Sequence, residues 1–253
     1  MTAKEEAHFY FWHIAVALAI FSMLLLIIEV ADVDRRISAL FYDPSIRAFP
    51  WRHNWLMENV QHVVAKRAIV LLGLSVLVAW LATHWFSGFR QLRPILLFIF
   101  AGMILSALSV TMLRSVSSQA CPYDLQQYGG TVSQSVSLFE SAQKGSKPGK
   151  CSPSGHASAG FCLFAWYFAA RRLSRRRLAA CFFAGTVLFG FVLSMGRVAQ
   201  GAHFVSHCVW SAMVCWFVTL ALYETLLLRR PAVVQVLLSI SHKFRQVPTH
   251  QHE

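Results

Sequence analysis

The sequence predicts an all-α, polytopic membrane protein with six transmembrane helices, an outer interfacial helical segment and a long outer loop. Its 253 residues are 56% hydrophobic and only 13% charged, and the mean hydropathy is +0.50. This composition is too apolar for an ordinary soluble domain. Six apolar runs approach the length needed to cross about 30 Å of hydrocarbon. The connecting segments carry most of the arginines, prolines and glycines.

We expect one integral membrane domain over residues 1–253, with spans at 9–30, 68–86, 95–113, 156–170, 178–195 and 204–228. The fourth run is short, and Arg171 and Arg172 at its end can extend their charged groups to the headgroups. The first run is longer than a signal-peptide core, and no small-residue cleavage site clearly follows it. We therefore interpret it as an uncleaved span.

The distribution of arginines predicts the orientation. Five of the seven residues in loop 171–177 are arginines, whereas loop 198–203 contains no lysine or arginine. Short basic loops remain in the cytoplasm, so both termini and the tail 229–253 are predicted there. The two sides carry nearly equal totals of basic residues, so this orientation depends on the short loops. The net charge of +12 is then explained by membrane topology, and no nucleic acid partner is expected.

Two outer segments are predicted. Segment 31–67 mixes apolar and aromatic residues with charges and two prolines, a composition typical of helices that lie at the headgroup level. The alternative is a lid that grips a substrate. Segment 114–155 is a long loop bracketed by Cys121 and Cys151. In an oxidising compartment these cysteines can form a disulfide, and the absence of a spaced Cys/His cluster in the sequence argues against a metal site.

Two polar stretches stand at span boundaries on the outer side. The first, residues 150–157, contains Ser154, Gly155 and His156 in a turn-forming sequence. The second, residues 196–207, contains Arg197 and His203 around a glycine. Ionisable residues at span ends are costly and are candidates for function. The predicted topology brings both stretches to the same face of the membrane.

These residue types suit the transfer of a phosphoryl group. Arg197 can hold an oxyanion through two parallel hydrogen bonds. His203 can attack phosphorus, and His156 can protonate the oxygen that leaves. Such chemistry requires charge stabilisation, an in-line nucleophile and an acid. No metal ion and no cofactor are expected.

The two stretches resemble signature motifs of the type 2 phosphatidic acid phosphatase superfamily, which comprises metal-independent lipid phosphate phosphatases. Residues 153–156 read Pro-Ser-Gly-His, and Arg197 and His203 have the family spacing. The family's first motif, Lys-x6-Arg-Pro, is represented by Arg114 and, seven residues later, Cys121-Pro122. The resemblance covers residues from about 95 to 228 and implies a six-span fold.

The resemblance implies a role for each matching residue. His203 is similar to the nucleophile that forms a phosphohistidine, and His156 to the general acid. Arg197 resembles a phosphate ligand, and Arg114 keeps the positive charge of the family lysine. The remaining matches, the Ser154 side chain and the Gly155 amide, resemble an oxyanion-binding turn.

The sequence departs from the family at two positions. Cys121 replaces the second basic residue of the first motif, so Lys150 or another loop lysine would have to supply that phosphate contact. His207 stands where the family has an aspartate that holds the other ring nitrogen of the nucleophile. Activity then relies on neutral His207, or on a carboxylate from the long loop. We expect Asp124 in that role, with Glu140 as the alternative.

The expected function is hydrolysis of a lipid phosphomonoester or diphosphate at the outer face of a bacterial-type inner membrane. The expected partners are the bilayer and the lipid phosphate itself. One alternative is a lipid phosphotransferase that uses the same covalent step. Another is a catalytically inactive protein that binds or translocates lipids, which the substitutions at Cys121 and His207 suggest. The identity of the lipid and the oligomeric state cannot be predicted from these residues.

Overall fold

A computed structural model of the chain describes residues 3–133 and 149–228, apart from the side chains of Ala3, Gln61 and His62. Tail 229–253 and Glu140 lie outside these ranges. The described chain is helical, with two isolated β-bridges. Its α-helices are α1 (Ala3–Tyr10), α2 (Ala17–Val30), α3 (Val33–Phe41), α4 (Ala65–Ala82), α5 (Arg93–Val116), α6 (Gly155–Phe161), α7 (Phe164–Arg172), α8 (Arg176–Ala199) and α9 (Val205–Leu222). Segments Phe11–Val16, Leu56–Val64 and Tyr223–Leu228 are π-helical, and Ser87–Leu92, Pro122–Asp124 and Gln126–Tyr128 are 3₁₀-helical.

Within the described ranges, five helical segments are long and apolar enough to cross a membrane. They are Lys4–Val30, Leu56–Ala82, Ser87–Val116, Arg176–Ala199 and Val205–Leu228. These segments correspond to the first, second, third, fifth and sixth predicted spans. The fourth predicted span is instead a pair of helices, α6 and α7, which adjoin at Cys162 and Leu163. The all-helical membrane fold is confirmed, and the sixth crossing stays a prediction.

Residues 31–67, predicted as an outer interfacial segment, contain helix α3 and the beginning of a long helix. Helix α3 is amphipathic, as expected: Arg35 and Arg36 are exposed, and Ile37 packs against the core. From Leu56 onward, however, the chain already belongs to the second long helix. No proline or glycine interrupts residues 56–72, so nothing in this stretch stops the helix from continuing into the apolar run.

Helix α9 lies at the centre of the bundle, in contact with α2, α5, α6, α7 and α8. Small residues allow two other pairs of helices, α5 with α7 and α6 with α8, to pack closely. A Cβ at Gly102 of α5 would lie 2.9 Å from the Ala165 Cβ of α7, and a Cβ at Gly160 of α6 would lie 2.6 Å from the Gly190 Cα of α8. Backbones that touch in this way fix the relative positions of helices in a membrane. The end of α6 is thereby held against the middle of α8.

Candidate active site

Helix α8 ends in a capping turn that connects Arg197 to His203. The Ala202 amide donates a hydrogen bond to the Arg197 carbonyl, and the Gly201 amide donates one to the Val198 carbonyl, each at 2.9 Å. This is the hydrogen-bond pattern of a Schellman motif. It requires a left-handed residue, and Gly201 has φ of +66°. A Cβ at this position would also lie 2.3 Å from the ring of Phe49, so only glycine fits.

The turn before α6 is attached to α9. Ser154 is the N-cap of α6, and its Oγ accepts a 3.3 Å hydrogen bond from the Ala157 amide. Its own amide donates to the His207 carbonyl at 3.1 Å. The Ser211 hydroxyl donates to the Ser154 carbonyl at 2.9 Å. The turn that carries Gly155 and His156 is therefore fixed beside the first turn of α9.

Arg114 reaches the same place from the last turn of α5. Its Nε donates a 2.7 Å hydrogen bond to the Lys150 carbonyl, and its Nη1 lies 3.6 Å from the position that a Cβ on Gly155 would occupy. Arg114 is otherwise exposed, so part of its guanidinium is open to a ligand. Lys150 contributes its backbone carbonyl, while its side chain is exposed.

Arg197 is held by residues that the sequence did not single out. Its Nη1 donates a 2.7 Å hydrogen bond to the Gln200 Oε1. The Nε2 of Gln200 donates to the Arg52 carbonyl at 3.3 Å. The guanidinium of Arg52 in turn lies 4.0 Å above the ring of Tyr123. This chain of contacts connects Arg52, in the segment before α4, to Arg197, the candidate phosphate ligand.

His203 is buried, at 3% exposure. Burial of the ring, followed by electrostatic interactions with His207, Arg197 and Arg114, holds the pKa of His203 well below its ordinary value. His156 also contributes a smaller effect of the same sign. The imidazole is therefore neutral near pH 7, which is the form that can act as a nucleophile.

Among residues 3–133 and 149–228, His203 has no carboxylate partner. The rings of His203 and His207 are 5.9 Å apart between centroids and nearly perpendicular. The Nδ1 of His207 is buried without a hydrogen-bond partner among the described residues. Asp124 faces elsewhere, because its carboxylate accepts a hydrogen bond from the Cys121 backbone and lies near the charge of Arg52. The side chains with the largest electrostatic effects on the pKa of His203 are all histidines or arginines.

A disulfide joins Cys121 to Cys151, with an S–S distance of 2.02 Å and a Cα separation of 5.3 Å. The Cys151 sulfur lies 3.5 Å from the Nδ1 of His203. The ligand atoms of Cys151, His203 and His207 all lie within 4.8 Å of one another. A sulfur in a disulfide carries no thiolate charge, however, so this group offers a metal only two imidazoles and lacks the three or four ligands of zinc sites.

Asp34 is a buried acid near the site that the sequence did not indicate. One carboxylate oxygen accepts a 2.9 Å hydrogen bond from the Ser206 amide, and the other accepts one from the Ser206 hydroxyl. Burial raises the pKa of Asp34 to about 6. Through this contact α3 is connected to the first turn of α9, where Ser206 lies three residues after His203. The two residues are 172 positions apart in the chain, so no local pattern signals the pairing.

The fold and the site together define an integral membrane protein with a cluster of histidines and arginines, at one end of its helical bundle, that suits an anionic group. The family model of the PAP2 superfamily matches residues 95–231, which is more than half of the chain. The chain belongs to this superfamily, and membership supports a phosphatase or phosphotransferase type of fold. No curated protein and no solved structure matches the chain.

Proposed function

We propose that the protein is a lipid phosphatase that hydrolyses a lipid phosphomonoester or diphosphate at the outer face of the inner membrane. The observation that supports this most strongly is the position of His203. This buried, neutral histidine follows Arg197 in one capping turn and shares the electrostatic environment of Arg114 and His156. A nucleophile, two cations and an acid are the parts that phosphoryl transfer requires.

The proposed reaction proceeds in two steps. The phosphate oxygens bind to Arg114, Arg197, the Ser154 hydroxyl and the Gly155 amide. The Nε2 of His203 forms a bond to phosphorus as the bond to the lipid oxygen breaks, and His156 gives its proton to that oxygen. Neutral His156 then takes a proton from water, whose oxygen displaces His203 from phosphorus. The products are inorganic phosphate and a lipid alcohol, or a lipid monophosphate when the substrate is a diphosphate.

A release assay on the purified protein tests the function. Phosphatidic acid, phosphatidylglycerophosphate, undecaprenyl diphosphate and lipid A phosphates each present a phosphate group at the membrane surface. We expect release of inorganic phosphate from at least one of them, with no loss of rate after treatment with a metal chelator. A chelator-sensitive rate would contradict the metal-free mechanism. Radiolabel recovered on a second lipid or sugar would identify a phosphotransferase, and absence of any turnover would favour a lipid-binding role.

The dependence of kcat/KM on pH is expected to be bell-shaped. The acidic limb reports protonation of His203, and it should lie well below the ordinary histidine value of about 6.5, because burial lowers the pKa of His203. The basic limb reports loss of the His156 proton. The Arg114→Gln variant provides the control, since removing this positive charge should move the acidic limb to higher pH. A phosphomonoester substrate itself titrates at about pH 6, so the limb that belongs to the enzyme is the one that Arg114→Gln moves. If that limb lies at pH 6.5 or above in the wild type, His203 is not the titrating nucleophile.

A further inference from the structure

The second ring nitrogen of His203 has an unusual neighbour. A neutral imidazole carries one N–H, and its position decides which nitrogen has the free lone pair. At His203 the Nδ1 lies 3.5 Å from the sulfur of Cys151, which is fully buried. His207 forms no hydrogen bond to this ring, and the carboxylate of Asp124 has other partners. Among the described residues, the sulfur is therefore the group that can select the tautomer.

We propose that the disulfide sulfur of Cys151 accepts the Nδ1–H hydrogen bond of His203 and so directs the Nε2 lone pair towards the phosphate. The inference rests on the proposed function, and it assigns Cys151 as a positioning residue that does not itself touch the substrate. In this chain the sulfur takes the place of an orienting carboxylate.

The oxidation state of the sulfur matters for this role. A disulfide sulfur has lone pairs and no proton, so it acts only as an acceptor, and the tautomer with hydrogen on Nδ1 is the one that satisfies the contact. A free thiol at the same position is also a donor. The Ala202 carbonyl oxygen, 3.1 Å from the sulfur, is one acceptor for the thiol proton. When the thiol donates to Nδ1 instead, the ring hydrogen shifts to Nε2 and attack is blocked.

The sulfur orients the ring without adding charge. The phosphohistidine formed on Nε2 carries a positive ring as long as Nδ1 keeps its hydrogen. A carboxylate would stabilise that charge, whereas a neutral sulfur does not. Removing the sulfur should therefore cost about tenfold in kcat, which corresponds to one weak hydrogen bond. KM should change little, because Arg114 and Arg197 still bind the phosphate.

A matched set of variants separates the sulfur from the crosslink. Cys121→Ala breaks the disulfide and leaves a free thiol at position 151. Treating this variant with methyl methanethiosulfonate converts the thiol to a methyl disulfide and releases methanesulfinate. The capped protein has an acceptor-only sulfur at position 151 but no crosslink. The double variant Cys121→Ala/Cys151→Ala, treated in the same way, controls for reaction at the other cysteines.

We expect kcat to fall about tenfold in Cys121→Ala, to recover on capping, and to stay low in the double variant with or without the reagent. Mass spectrometry of the Cys151 peptide verifies the capping. Wild-type kcat in the double variant would overturn the proposal. So would a capped Cys121→Ala protein whose kcat remains at the level of the double variant, since that result assigns the effect to the crosslink.

A second measurement does not depend on turnover. In ¹⁵N-histidine-labelled protein, the nitrogen signals assigned by comparison with His203→Gln should show the Nδ1–H tautomer in the wild type and a mixture in the double variant. An Nε2–H tautomer in the wild type would overturn the inference. If the wild type releases no phosphate at all, the proposed function fails, and the nitrogen spectra still decide whether the sulfur orients His203.

Discussion

Replacing His203 with alanine should reduce the rate of phosphate release by at least about 10³-fold, because the variant lacks the atom that bonds to phosphorus in the proposed mechanism. Arg114 and Arg197 remain in place, so binding of the lipid phosphate should persist. The measurement is a rapid quench of wild type and variant with ³²P-labelled lipid phosphate. Wild-type protein should retain covalent label that is labile in acid, and His203→Ala should retain none.

Two controls make this experiment decisive. Asp124→Asn should keep near wild-type turnover and label, since the Asp124 carboxylate interacts with the Cys121 backbone and with Arg52. A strong loss in Asp124→Asn would instead restore Asp124 as the partner of the nucleophile. Substantial turnover by His203→Ala, or covalent label on that variant, would show that another residue attacks phosphorus.

The loss caused by His156→Ala should depend on the leaving group. A lipid alkoxide is a poor leaving group and requires a proton as the bond to phosphorus breaks, so kcat should fall about 10²- to 10⁴-fold for a lipid phosphate. A nitrophenolate leaves without protonation, and the first step with p-nitrophenyl phosphate should be much less affected. The measurement is the burst of nitrophenolate released in the first turnover, compared with single-turnover cleavage of the lipid phosphate.

The comparison also identifies the role of His156 in the second step. Without His156 to activate water, phosphohistidine should accumulate after the nitrophenolate burst. The matched control is Arg197→Lys, which weakens phosphate binding and should slow the cleavage of both substrates to a similar degree. Equal losses with both substrates in His156→Ala would contradict its assignment as the general acid.

Features that depend on local sequence could be predicted well. The apolar runs predicted the five long helices, since span length follows from the thickness of the bilayer. The two motifs predicted which side chains would meet, and the structure brings Arg114, His156, Arg197 and His203 to one end of the bundle. Span length is a short-range signal, whereas the meeting of the two motifs was expected from the predicted topology and from the family resemblance.

Features that depend on packing between distant segments could not be predicted. The contact of Asp34 with Ser206 arises because α3 folds back across the start of α9, and no periodicity in either segment indicates it. The expectation for Asp124 failed for a related reason. Its position in the chain suggested proximity to His203, but the backbone of the Pro122–Asp124 turn directs the carboxylate to the Cys121 backbone.

The capping turn after α8 also restricts how the chain can vary in length. The two hydrogen bonds from Ala202 and Gly201 close rings of fixed size on Arg197 and Val198, so the number of residues between Arg197 and His203 is set by backbone geometry. One inserted residue would move glycine out of the left-handed position, and one deleted residue would remove a hydrogen bond. The separation of a cation and a nucleophile is here a property of the main chain, which side-chain substitutions elsewhere in the bundle leave unchanged.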